Sequence, residues 1–249
     1  MAFPISKRRK ISEPDGGRSI YRACPETFFN GAEMKAKALL FDLDGTLLNT
    51  LEDLADSFNY SLQQSGFPTH ETESYKQFVG EGALKAIERA LPEGEKNPEI
   101  IQKVLSVFNH HYFQNCFKKT KPYEGILPLL EKLKSEKIRL GIITNKSQHF
   151  AEQTVLYYFK NNFDLLIGEQ KSFPKKPDPK SVFYALDYFQ VSKDEVYFIG
   201  DSKTDMQTAQ NAGIKSIGVL WGFRTKKELI DNQANVLIEQ PEKILKYIL

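Results

Sequence analysis

Cysteine is scarce in this chain of 249 residues: only Cys24 and Cys116 are present. Two are too few for a disulfide framework, and neither has a second cysteine or a histidine at metal-ligand spacing. A reducing compartment is the simpler reading, with the cytoplasm as the expected location. Long apolar runs are also missing. None approaches the roughly 20 residues that a membrane helix needs, so no spanning segment is expected. Residues 1–33 lack a secretory apolar core, and their acidic residues argue against an organelle transit peptide. An excess of one charge is absent as well. The net charge is +2, and the six basic and four acidic residues of 1–33 account for all of it. The remainder carries 28 of each sign, which offers nucleic acid no electrostatic footprint. The cluster Lys7-Arg8-Arg9-Lys10 is by itself a poor predictor of a nuclear signal.

Residues 1–33 have no strong periodicity and contain Pro4, Pro14, Gly16-Gly17 and Pro25, so disorder is expected there. Met34-Lys35-Ala36-Lys37-Ala38 reads like a natural start just ahead of the first strand, and translation is expected to begin at Met34. The hydrophobic content of 41% is enough for a substantial core, and the length permits one large domain or a core with an insert.

What is present centres on Phe41-Asp42-Leu43-Asp44-Gly45-Thr46. Two carboxylates stand two residues apart just after the apolar run Ala38-Leu39-Leu40-Phe41, which is short enough to be a buried strand. They would emerge at its carboxyl end, where open parallel sheets bind ligands. Gly45 supplies a residue free of φ restriction for the sharp turn that follows, and Thr46 can satisfy loose backbone groups there.

Three more polar clusters follow predicted strands or lie on a stiff loop. Ile138 to Thr144 reads as a strand ending in Thr144-Asn145, whose hydroxyl and amide could hydrogen-bond phosphoryl oxygens. Lys176 sits in Lys175-Lys176-Pro177-Asp178-Pro179, a loop stiffened by two prolines. Val196 to Ile199 reads as a strand running into Gly200-Asp201-Ser202-Lys203-Thr204-Asp205, which returns two further carboxylates. Singly, each has a plain structural explanation: a helix cap, a solvated charge, a turn. In this order the combination is far more specific.

It resembles the haloacid dehalogenase superfamily over roughly Lys35 to Leu249. Thr144-Asn145-Lys146, Tyr123-Glu124-Gly125 and Gly218-Val219-Leu220-Trp221-Gly222-Phe223 look most like its phosphoglycolate phosphatases. The resemblance implies that Asp42 attacks phosphorus to form an aspartyl phosphate. It implies that Asp44 is general acid and then base. Mg²⁺ would be bound by Asp42, Asp201 and the backbone carbonyl of Asp44, with Asp205 supporting them from behind. Thr144, Asn145 and Lys176 would hold the phosphoryl group. A carbon-directed dehalogenase lacks an acid at the position of Asp44, so dehalogenation is not expected.

From Ile126 onward helical and strand patterns alternate, which argues for a Rossmann-like doubly wound parallel sheet. Residues 34–50 and 119–249 would form this α/β core, and 51–118 an inserted, all-helical cap. Leu51, Leu54, Phe58 and Leu62 recur at helical spacing, with Thr50 as N-cap and Gly66-Phe67-Pro68 as stop. Ala83 to Leu91 and a stretch opened by Asn97-Pro98 form further helices. Cys116, His110 and His111 fall in that last pattern, where surface or core roles are commoner than ligation. Gly80, Glu81 and Gly82 would cover the site, since the glycines allow close backbone approach. Glu81 is unfavourable toward an acidic substrate, so it points away or the substrate differs.

The expected function is Mg²⁺-dependent hydrolysis of a small-molecule phosphate ester, 2-phosphoglycolate first. A phosphosugar mutase, a generalist sugar-phosphate or pyrophosphate phosphatase and a noncatalytic interaction protein are the alternatives. The glycine segment carries none of the basic and polar sugar contacts of the mutases, and the retained carboxylates and Lys176 disfavour the noncatalytic reading. The leaving group, and monomer or dimer, are left open.

Overall fold

The computed structural model describes residues 35–249. The disorder expected over 1–33 and the start expected at Met34 lie outside the described residues. In chain order the first elements are β1 (Ala38–Phe41), β2 (Leu48–Asn49), α1 (Leu51–Gln64), α2 (Tyr75–Phe78), α3 (Ala83–Ala90) and α4 (Pro98–Asn115). There follow β3 (Lys121–Pro122), α5 (Ile126–Ser135), β4 (Arg139–Ser147), α6 (Gln148–Phe159), β5 (Leu165–Glu169) and α7 (Lys180–Phe189). The last are β6 (Val196–Gly200), α8 (Lys203–Ala212), β7 (Lys215–Val219), α9 (Lys226–Asp231), β8 (Val236–Ile238) and α10 (Leu245–Ile248).

Six strands form one parallel sheet in the order β5-β4-β1-β6-β7-β8. All four residues of β1 are buried, because it lies between β4 and β6 with helices on both faces. A strand buried on both sides reads as a continuous apolar run, which is why Ala-Leu-Leu-Phe shows no polar alternation. Its side chains still alternate between two cores. Leu39 and Phe41 join Leu129, Leu133, Val155 and Ile248 of α5, α6 and α10. Ala38 and Leu40 join Val182, Ala185 and Ala209 of α7 and α8.

Between β1 and β4 the chain leaves the sheet and builds α1 to α4. It departs and returns through one antiparallel ribbon, with Leu48 opposite Pro122 and Asn49 opposite Lys121. The buried Asp53 in the first turn of α1 accepts from the backbone N–H of Lys119 at 3.0 Å and of Thr120 at 2.8 Å. This ties the outgoing helix to the returning strand. The helices have their own apolar centre, where Phe58 stacks on Phe108 at 4.1 Å and on Tyr75 at 5.4 Å between ring centroids. Each fully buried phenylalanine contributes about 2–3 kcal/mol by area removed from water.

Several local expectations are corrected. Thr50 sits at the start of α1 but its hydroxyl caps nothing; the N–H of Leu51 donates instead to Asn49 Oδ1 at 3.4 Å. Thr144 and Asn145 lie inside β4, which continues to Ser147 through a slip of register against β5. Strand β7 ends at Val219, although Leu220 N–H still donates to Ile238 O at 2.9 Å. The short helix α2 and the β2–β3 ribbon carry too few residues to show a period. Asn97 does cap α4, accepting from Ile100 N–H at 3.0 Å. Among the described residues no helix is long and apolar enough to cross a membrane.

Candidate active site

The connection after β1 leads to β4 on one side, and the one after β6 leads to β7 on the other. A crevice therefore opens beyond the carboxyl ends of β1 and β6, where open parallel sheets bind ligands. Asp42 follows β1 and Asp201 follows β6. Asp42 is held by its own backbone, whose N–H donates to Ile199 O at 2.9 Å. Gly45 turns the chain at φ +88°, and a Cβ there would lie 2.6 Å from Asp201 Oδ2. At Gly222 a Cβ would meet Asp201 Cβ at 2.3 Å and the Gly45 carbonyl oxygen at 2.5 Å. Two bare backbones thus enclose Asp201.

Asp201 accepts from Thr46 Oγ–H at 3.2 Å through Oδ1 and from Phe223 N–H at 2.8 Å through Oδ2. The Thr46 hydroxyl, expected to satisfy loose backbone groups, is spent on this carboxylate. Lys176 Nζ lies 2.9 Å from Asp42 Oδ1 and 2.6 Å from Asp205 Oδ1. Asp205 Oδ2 accepts from Ser202 N–H at 3.0 Å and Ser202 Oγ–H at 2.7 Å, which closes the first turn of α8. Both Asp205 oxygens are committed to these partners.

Three buried carboxylates, Asp42, Asp201 and Asp205, offer oxygens within 4.8 Å of one another, and Lys176 is the cation among them. Burial of these groups shows in the acids. Burial, against the pull of Lys176 and with a push from Asp205, raises Asp42 to about 6. Burial, together with the charges of Asp205 and Asp42, raises Asp201 to about 8. Burial opposes the charge on Lys176, but Asp205 and Asp42 outweigh it and lift its pKa. Asp42 Oδ1, though near the ammonium, accepts no aligned hydrogen bond. Three clustered carboxylates, a set of hard oxygen donors, suit a divalent cation such as Mg²⁺.

Asn145 braces the other side. Its Oδ1 accepts from Lys176 N–H at 2.8 Å, and its Nδ2 donates to the carbonyls of Lys176 and Gly80, each at 3.1 Å. The amide expected to meet phosphoryl oxygens is here committed to the Lys176 loop and the helical block. Thr144 Oγ1 accepts from Lys146 N–H at 3.3 Å. Asp42, Asp44, Thr144 and Asn145 line one cavity of about 1030 Å³, and Gly80 and Gly82 approach it from the helical block. Arg224 joins them there, donating from Nη2 to Val79 O at 2.7 Å. Gly80 and Gly82 take φ of +105° and +89°, and a Cβ on Gly82 would sit 2.8 Å from Lys175 Nζ.

Glu81 turns away from the cavity and pairs with Arg89, whose Nη1 also donates to Phe78 O at 2.9 Å. Partial burial works against the Glu81 charge, and Arg89 outweighs it, holding the carboxyl below its ordinary range. Gly80 and Gly82 line the cavity and Glu81 does not. His111 bonds Ser57 Oγ at 3.0 Å and Cys116 is buried at the end of α4, roles in the helical core.

The sequence marked Lys146 only as part of the Thr144-Asn145-Lys146 resemblance, with no role, and did not mark Tyr112 as a site residue. Lys146 Nζ donates to both Asp44 oxygens, at 3.0 and 3.2 Å, and to the Tyr112 hydroxyl at 2.8 Å. Its place beside Thr144-Asn145 was the available signal. Tyr112 ends the apolar stripe of α4 and looks like core, so nothing marked its hydroxyl.

A family model for haloacid dehalogenase-like hydrolases matches residues 39–219. A phosphoglycolate phosphatase of Colwellia psychrerythraea is 34% identical over 199 residues, covering 78% of this chain and 88% of that one. One from Aliivibrio fischeri is 28% identical over 219 residues, covering 86% and 95%. The crystal structure of a predicted phosphoglycolate phosphatase from Haemophilus somnus superposes with a TM-score of 0.80 at 26% identity, covering 86% of this chain and 99% of that one.

Proposed function

Because the chain belongs to the haloacid dehalogenase-like hydrolases, we propose that it hydrolyses a small phosphomonoester, 2-phosphoglycolate first, through a phosphoryl group carried on Asp42. Its class is that of a phosphoric monoester hydrolase. The observation that carries the mechanism is Asp42 at the wall of the cavity, one of three clustered buried carboxylates beside the single ammonium of Lys176. The Asp42 oxygen that Lys176 does not hold attacks phosphorus, the phosphorus to alkoxide bond breaks, and Asp44 supplies the proton that the leaving oxygen takes. Water then attacks the phosphorus on Asp42, giving its proton to Asp44 as the acyl phosphate opens.

Mg²⁺ would be held by Asp42, Asp201 and the Asp44 backbone carbonyl, and when bound it supplies neutralising charge between the anionic ester and the anionic nucleophile. Lys176 offsets the remaining charge, while Thr144 and Asn145 orient the phosphoryl oxygens. Asn145 does this once it exchanges a present partner for the ester. Residues 51–118 act as a cap that excludes water and meets the leaving group, with Gly80 and Gly82 on its inner face. Glu81 serves this segment from behind through Arg89. A small-molecule ester as the partner and a cytoplasmic location accord with this reading.

A generalist with larger substrates is the second reading, favoured by a cavity of about 1030 Å³ that far exceeds 2-phosphoglycolate. Phosphate release from a panel of 2-phosphoglycolate, sugar phosphates, nucleotides and pyrophosphate, with and without Mg²⁺, separates them. A preference for 2-phosphoglycolate by about a hundredfold in kcat/KM, roughly 3 kcal/mol of discrimination, supports the first. A flat profile supports the second, and conversion of β-glucose 1-phosphate without release would favour a mutase.

A further inference from the structure

We propose that Tyr112 is a positioning residue through which the helical block, by way of Lys146, sets the Asp44 carboxylate for the water-splitting half of the reaction. The inference rests on the phosphatase reading above. Asp44 is held by an ammonium that touches both its oxygens, at 3.0 and 3.2 Å, so the rotation of the carboxylate follows the position of that ammonium. Lys146 comes from β4 and is buried, with a side-chain exposure of 5%. A lysine side chain alone has four rotatable bonds and does not fix its own tip. The fixed point is the Tyr112 hydroxyl at 2.8 Å, and the same ammonium lies 4.8 Å from the Tyr112 ring centre.

Tyr112 is itself immobilised. It is 1% exposed, stacks on Phe108 at 5.3 Å and meets Phe150 of α6 edge-on at 5.2 Å between centroids. Phe108 in turn stacks on Phe58 of α1. The chain of contacts thus runs from the aromatic centre of the helical block to Lys146 and Asp44, by a path separate from the Gly80 and Arg224 contacts. In this arrangement both Asp44 oxygens accept from one ammonium, which fixes the plane of the carboxylate. In the assigned step the water oxygen bonds to phosphorus, its proton passes to the Asp44 carboxylate, and the bond from phosphorus to Asp42 breaks with its electrons returning to Asp42.

The test is Tyr112→Phe, which removes one hydroxyl and keeps the ring. With p-nitrophenyl phosphate and Mg²⁺, kcat/KM reports the first half-reaction, whose leaving group needs no proton, and kcat reports hydrolysis of the phosphoenzyme once that step is slow. The variant should lose about tenfold in kcat and about tenfold in KM, leaving kcat/KM within about twofold, as for an interaction used only in the second transition state. Acid quenching during turnover should trap more phosphorylated protein, seen by intact mass, than in the wild type. Lys146→Met, similar in length and neutral, should repeat the pattern.

A fall in kcat/KM with no extra phosphoenzyme would overturn the proposal, since loss of closure or packing gives that result. A rise in KM alone would overturn it too, making Tyr112 and Lys146 substrate contacts, as would unchanged kinetics. If the wild type releases no phosphate from any ester in Mg²⁺, the phosphatase reading itself fails. An active wild type with an unaffected variant sinks only the relay.

Discussion

The ammonium of Lys176 lies 2.9 Å from Oδ1 of Asp42, the group assigned as nucleophile. It also lies 2.6 Å from Asp205, and all three side chains are buried. Lys176→Met keeps most of the volume and removes the cation from beside two buried carboxylates. Breaking a buried pair in this way costs about 3–5 kcal/mol because the abandoned charge has no solvent. Urea unfolding of the metal-free variant at neutral pH should show a loss of that size together with loss of turnover. A stability within about 1 kcal/mol of wild type would mean that Lys176 is not what holds these carboxylates.

Stability of the metal-free protein should fall as pH rises from about 4 to about 8. Asp42 is raised from 3.8 to about 6 and Asp201 from 3.8 to about 8, so in that window the folded state keeps protons that the unfolded chain has released. Unfolding is then favoured by every step toward higher pH. The expected drop in Tm across the window is on the order of 5–10 °C in chelator. Excess Mg²⁺ should protect most strongly at the upper end, where the acids are ionised and binding releases no proton. A metal-free Tm that climbs over the same window would contradict the charge excess at this crevice.

Gly222→Ala tests the enclosure of Asp201. A Cβ there meets the Gly45 carbonyl oxygen at 2.5 Å, and backbone cannot swing aside as a long side chain could. Asp201 must shift, which should weaken Mg²⁺ activation by about 10- to 100-fold, the usual range for disturbing the groups that orient metal ligands. Titrating activity against Mg²⁺ measures it. An unchanged half-activating concentration would remove Asp201 from the proposed ligand set.

How far the sequence could be read depended on the kind of signal each residue leaves. β1 and β6 were legible because strands buried on both faces leave unbroken apolar runs, and their terminal carboxylates followed from position. Asp42, Asp201, Lys176 and Asp205 are brought together by the sheet order, which the alternation of helix and strand implied. The Lys176 loop could be placed only through the family resemblance. Tyr112 was hidden because a tyrosine on an apolar stripe reports its ring and conceals its hydroxyl. Lys146 was hidden because a lysine next to two polar residues looks solvated until a second segment 34 residues away covers it. The outward turn of Glu81 depended on Arg89 one helix further on, and its charge alone could not reveal that partner.

In the proposed reaction Asp42 carries the phosphoryl group. Its most direct test is phosphate release from 2-phosphoglycolate and p-nitrophenyl phosphate by wild type and Asp42→Asn, each in Mg²⁺ and each with its melting curve. Asp42→Asn should be folded with turnover lower by at least about a thousandfold, since volume is kept and only the nucleophile is lost. Hydrolysis by folded Asp42→Asn at a rate near wild type would contradict it.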